Sequence, residues 1–145
     1  MSTNPVAESL KTALADTYAL YLKTQNYHWN VTGPNFKTLH LLFEEQYNDL
    51  ALAVDTIAER IRALGTKAPG TWKAYAAVTT IKDGDENADA TSMVQELAND
   101  QALVIASLQQ TLKAAQNTGD EVSIGVVVER MSVHEKAAWM LNSSL

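Results

Sequence analysis

Hydrophobic positions recur every three or four residues along most of the chain, the spacing of helices that bury one face. The first run extends from about Pro5 to Asn30, where Leu10, Leu14, Thr17/Tyr18, Tyr21 and Gln25 keep that step. Pro5 suits a first helical turn. Gly33-Pro34 ends the run, because proline disfavours helix in the residue before it. A second run, from about Asn35 to Leu64, carries Leu39, Leu42/Phe43, Gln46/Tyr47, Leu50, Val54, Ile57, Ile61 and Leu64. At 1.5 Å per residue this helix spans roughly 45 Å, and Gly65 stops it. Thr66 to Asn87 contains Pro69-Gly70 and Asp83-Gly84 and reads as a connection with one short helix, around Trp72 to Val78. A third helix is predicted from about Thr91 to Asn117, with Ser92 and Gln95 placed as a capping box and Gly119 after it. A fourth runs from about Asp120 to Leu141. No strand pattern competes.

Four long helices with one long middle connection predict an all-α, ferritin-like four-helix bundle, with a short helix between helices two and three. The 145 residues suit one domain, 1–145, with one sizeable core. An apolar fraction of 46% excludes a disordered chain.

The chain has no cysteine, which removes disulfides, thiolate catalysis and cysteine metal sites. Any metal must be held by imidazole nitrogen and carboxylate oxygen. A net charge of −6 and scattered basic residues argue against general nucleic-acid affinity. Met1 to Leu10 lacks an apolar signal core, and no stretch approaches the roughly 20 apolar residues of a membrane span. The expectation is a cytoplasmic protein with no membrane partner.

His28, His40, Glu44, Asp55 and Glu59 are the candidate ligands, a donor set suited to iron, manganese or zinc. On a wheel at about 100° per residue with His40 at 0°, Glu44 falls near 40°, Asp55 near 60° and Glu59 near 100°. The apolar stripe of Leu39, Phe43, Leu50, Val54, Ile57 and Ile61 centres near −80° on the same scale. The ligand arc therefore lies beside the core face. A di-iron site inside one bundle needs core-facing ligands and Glu-x-x-His motifs, and no Glu-x-x-His occurs in this sequence.

Distance adds a second constraint. His40 and Glu59 are separated by roughly 28 Å along one helix, so one metal cannot touch both in one chain. If two copies of the helix pair antiparallel about a two-fold axis, His40 of one meets Asp55 and Glu59 of the other, and two identical sites form. Ala51, Ala58, Leu41 and Leu52 share the arc and would let a partner helix approach. The neighbouring Glu45, Asp49, Thr56 and Arg60 read as solvent-facing. Chain reversal at Gly33-Pro34 sets His28 level with His40.

Residues 28–44, HWNVTGPNFKTLHLLFE, and 54–68, VDTIAERIRALGTKA, resemble the two characteristic motifs of the Dps family, the DNA-binding proteins from starved cells. SVHEKAAWML at 132–141 is also similar, and the resemblance covers essentially the whole chain. It implies a hollow dodecamer of ferritin-like subunits that binds Fe(II), oxidises it with hydrogen peroxide in preference to dioxygen, and stores ferric mineral. It implies ferroxidase centres at two-fold interfaces, with His28 and His40 from one subunit and Asp55 and Glu59 from its partner. Glu44 falls at an acidic ligand or near-ligand position. Trp29 falls at an aromatic position that takes up stray oxidising equivalents. The sequence departs from the family pattern twice. The first ten residues hold no Lys or Arg and the last four are uncharged, which argues against DNA binding through a basic tail. The family's acidic iron pore draws on the start of the fourth helix, where Asp120 and Glu121 remain but Gly125 stands at a position that is often Asp.

Three functions follow: a peroxide-dependent ferroxidase and iron store, a DNA-packaging cage, and a metal-binding cage without redox turnover that holds zinc. His134 fits none of the site geometry and reads as structural. Trp72 reads as packing, and Trp139 as core or interface.

Overall fold

The computed structural model describes residues 3–145, and helices account for nearly all of the order in them. They are α1 (Pro5–Asn30), α2 (Phe36–Ala63), α3 (Trp72–Val78), α4 (Ala90–Thr118) and α5 (Glu121–Asn142). Met1 and Ser2, which the one-domain reading and the N-terminal reading included, lie outside the described residues. Among the described residues no strand forms, and no helix is long and apolar enough to cross a membrane.

The helix ends follow local chemistry. Asn4 caps α1 by accepting from the N–H groups of Val6 and Ala7, with Pro5 at the first helical position. Gly33, at φ 114°, makes the turn into α2, a conformation open to glycine. Gly119, at φ 67°, ends α4 in the left-handed conformation and donates to the open carbonyls of Ala115 and Gln116. One expectation fails here. The cap of α4 is Asp89, whose carboxylate accepts from the Ser92 N–H at 2.7 Å, so Ser92 lies inside the helix rather than at its cap. An aspartate caps as well as a serine, and the pattern centred on Ser92 overlooked it.

α1 packs antiparallel on α2, α4 antiparallel on α5, and α1 on α4, while α3 lies on α1. One buried cluster runs through the bundle, with Leu10, Leu14 and Tyr27 of α1, Phe43, Ile57 and Ile61 of α2, and Leu97 and Leu108 of α4. Burying each such aliphatic side chain contributes about 1.5–3 kcal/mol. The long connection is pinned by Asp16, which is fully buried in α1. It accepts from the Thr79 hydroxyl, the Thr80 N–H and hydroxyl, and the Ser107 hydroxyl of α4. These donors offset the cost of taking a carboxylate from water.

The second correction concerns the outer arc of α2. Asp49 and Arg60 meet α5, although the Asp49 side chain stays 40% exposed. Asp49 accepts two bonds from Arg130, at 3.1 and 2.9 Å. Arg60 donates to Asp120 at 3.0 Å and to Ser123 at 2.9 Å. A wheel of α2 alone could not show this, because the partners sit 60 or more residues away, on α5 or at its cap. Glu45 and Thr56 remain exposed as expected.

Candidate metal centre

The last turn of α1 and the first turns of α2 bring two histidines face to face. The His28 and His40 rings stack at 3.8 Å with planes 13° apart. Each Nδ1–H donates to the other residue's backbone carbonyl, at 2.7 and 2.6 Å. A carbonyl can only accept, so Nδ1 carries the proton in each neutral ring, which leaves the Nε2 lone pair for a metal. Among the described residues no protein group hydrogen-bonds to either Nε2. Phe36 stacks on His40 at 5.0 Å and Tyr47 stands edge-on to His28 at 5.1 Å. These two aromatics were not singled out as site residues. Their spacing from His40, about one and two helical turns, is the only signal the sequence offered.

Glu44 sits one turn beyond His40 and is half-buried; Trp29, next to His28, is 62% exposed. Asp55 and Glu59 lie far along α2, both exposed. The Glu59 carboxyl is pushed above its usual range, first by a hydrogen bond shared with Asp55 and then by the Asp55 charge. Two carboxylates in such contact repel unless a proton or a cation sits between them. Among the described residues no three His, Asp or Glu side chains gather closely enough to hold a metal ion. The chain thus presents two half-sites at opposite ends of α2: imidazoles paired across the α1–α2 turn at one end and paired carboxylates at the other.

The exposed apolar residues of this arc lie between and beside the half-sites. Leu41 is 45% exposed and Leu52 is 73% exposed. The pore candidates divide. Glu121 is exposed, whereas Asp120 caps α5 through Ser123 and pairs with Arg60. Burial alone would raise the Asp120 pKa, but the Ser123 donors and the Arg60 charge outweigh it and hold the carboxyl below its usual range.

His134 is used up by its surroundings. Its Nδ1–H donates to Gln101 at 2.7 Å and its Nε2 accepts from Arg130 at 3.2 Å. Burial, with the Arg130 charge second, lowers its pKa from 6.5 to about 3. Trp72 packs against Tyr18 at 6.4 Å while 46% exposed. Trp139 is 65% exposed, which removes it from the protomer's core.

Comparison with known proteins places the fold. Residues 7–145 match the ferritin-like domain family. The chain is 37% identical over 140 residues to DNA protection during starvation protein 2 of Bacillus anthracis, covering 97% of this chain and 96% of that protein. Its fold is similar to the crystal structure of a Dps protein from Bacillus brevis, with a TM-score of 0.94, 34% identity, and 99% and 98% of the two chains covered. A Dps protein from Vibrio cholerae O1, described as a member of a broad superfamily of ferritin-like diiron-carboxylate proteins, matches at a TM-score of 0.91 and 33% identity, covering 95% of this chain and 87% of that one. With its stacked histidines at one end of α2 and its carboxylates at the other, the chain belongs to the Dps family of ferritin-like proteins.

Proposed function

We propose that the chain is a ferroxidase and iron store, each of whose sites is completed by a second copy. The observation that carries this reading is the separation of the two half-sites, with His40 and Glu59 roughly 28 Å apart along α2 and the exposed Leu52 between them. An antiparallel α2–α2 contact about a two-fold axis brings His28 and His40 to the partner's Asp55 and Glu59. The same register sets Leu41 opposite the partner's Ala58 and lets Glu44 reach toward the partner's Asp55. It closes two sites and covers the exposed apolar arc in one step. Twelve copies in a cage, each working as one domain in the cytoplasm, complete the reading.

Iron is the substrate. The two Nε2 lone pairs bind Fe(II), and the carboxylates favour the ferric product because they supply more negative charge to the higher oxidation state. Two Fe(II) each give one electron to hydrogen peroxide, which takes up two protons and leaves as two waters. Glu121 is the exposed acidic residue at the start of α5 that would attract iron, since Asp120 is engaged by Arg60 and Ser123. Iron fits the donor set better than a zinc-only role, because oxygen ligands outnumber nitrogen ones.

The test is to add Fe(II) without air, inject peroxide, and follow ferric absorbance and particle size together. Rapid oxidation with iron retained in a large particle is expected. Oxidation no faster than in protein-free buffer, with iron outside the particle, would reject the reading. The name of the Bacillus anthracis relative speaks of DNA protection, which supports a second reading as a DNA-packaging cage. A gel shift at low salt decides it; the net charge of −6 predicts no retention.

A further inference from the structure

Three of the chain's five tyrosines form one file with Trp72 that starts at the histidine pair and leads to the surface. From the His28 ring the centroid steps are 5.1 Å to Tyr47, 6.0 Å to Tyr21, 5.8 Å to Tyr18 and 6.4 Å to Trp72. Tyr75 joins as a side branch, 5.0 Å from Tyr18. Tyr47, Tyr21 and Tyr18 are half-buried, and Trp72 at the far end is 46% exposed. The fifth tyrosine, Tyr27, stands outside the file. It is fully buried, donates to Glu96 at 2.7 Å and accepts from the Asp85 N–H.

An aromatic cluster on a helix face often serves only to pack. Packing accounts poorly for the residue choice here. The Tyr18, Tyr21 and Tyr47 hydroxyls make no protein hydrogen bond among the described residues, so no partner in the fold calls for a phenol there. The two phenylalanines lie elsewhere: Phe43 in the core and Phe36 on His40. What phenol and indole add over phenyl is ease of one-electron oxidation.

We propose that Tyr47, Tyr21, Tyr18 and Trp72 form a relay that carries a single oxidising equivalent away from the histidine site to a soluble reductant at the surface. This rests on the ferroxidase reading. One Fe(II) that meets peroxide alone gives Fe(III), hydroxide and a hydroxyl radical. That radical takes the phenolic hydrogen atom of Tyr47, forming water and a tyrosyl radical. Tyr21, Tyr18 and the Trp72 indole N–H each pass one electron and one proton inward in turn. A thiol or enediol donor then returns a hydrogen atom to Trp72 and leaves as its own radical.

Tyr21→Phe keeps the ring and the packing but breaks the file at its middle. The protein would be given Fe(II) and sub-stoichiometric peroxide, and oxidation at each aromatic mapped by peptide mass spectrometry, with ferric absorbance recorded on the same samples. In the parent, Trp72 oxidation should rise well above an iron-free control and fall when a thiol is added. In Tyr21→Phe it should drop several-fold, toward that control, while damage at Tyr47 and Trp29 rises and the iron-oxidation rate holds. Tyr18→Phe should behave the same way. Equal Trp72 oxidation in parent and both variants, with normal iron oxidation, would overturn the relay and assign the damage to diffusing radical. Absent iron oxidation in the parent would instead overturn the ferroxidase reading, and the relay with it.

Discussion

The two ends of α2 carry the same kind of chemistry in opposite states of preparation. At the N-terminal end, His28 and His40 are held by reciprocal bonds to each other's backbone and clamped between Phe36 and Tyr47. Their tautomers and ring planes are set before any metal arrives. At the C-terminal end, Asp55 and Glu59 are exposed and touch chiefly each other, in a contact that raises the proton affinity of Glu59. One half-site is rigid within the chain. The other is mildly unfavourable until a cation or a partner joins it. The difference teaches that a shared site need not be prepared equally on both sides: the directional nitrogen donors are fixed, and the adaptable oxygen donors wait.

The strongest way to break this comparison is to remove a ligand from either end. His40→Ala and Asp55→Ala should each slow peroxide-driven iron oxidation by roughly ten- to a hundredfold or more, since even an outer-shell partner costs that much. Mixed in equal amounts and reassembled, the two variants should recover roughly a quarter of the parent rate, because random pairing makes half the dimers mixed and each mixed dimer has one intact site of two. No recovery on mixing would place all ligands in one chain.

Association comes next. Leu52 is 73% exposed, so Leu52→Glu should change the protomer's stability by no more than about 0.5 kcal/mol. It should nevertheless prevent two-fold pairing, seen by sizing, and remove iron oxidation with it.

The third histidine sharpens the contrast, since it is spent wholly on structure. Its folded pKa of about 3 lies below its ordinary 6.5, so the unfolded chain binds a proton that the folded chain refuses between those values. His134 therefore costs stability progressively as pH falls from 6.5 toward 3, by up to about 1.4 kcal/mol per pH unit. Denaturant midpoints across that range should slope less steeply in His134→Gln than in the parent. Equal slopes would show that His134 is not held neutral. The smallest effect is expected from Glu59→Gln. Relieving the Asp55 repulsion should stabilise the metal-free protein slightly, although iron oxidation falls; thermal melts without metal check the sign.

Much of the fold was legible because helices advertise themselves locally. The step of three and four residues gave four long helices to within about two residues, and Pro and Gly marked the breaks. The short helix was found at Trp72–Val78. What was misread required a partner element. The capping residue of α4 was displaced to Ser92 because two good cap residues stand three positions apart there. The arc of Asp49 and Arg60 looked solvated because Arg130, Asp120 and Ser123 of α5 are invisible to a wheel drawn on α2.

By itself, the sequence determined the helices, the turn at Gly33-Pro34, and the ligand spacing that no single metal can bridge within one chain. Those are consequences of helical periodicity and rise, which depend on neighbours in sequence. Only the tertiary structure decided that the two histidines stack and fix each other's protons, that Asp16 pins the crossover, and that α5 claims the polar arc of α2. It also decided that three tyrosines and a tryptophan from three helices stand in one file. Each of these depends on atoms distant in sequence meeting within a few ångströms, which helical periodicity cannot specify.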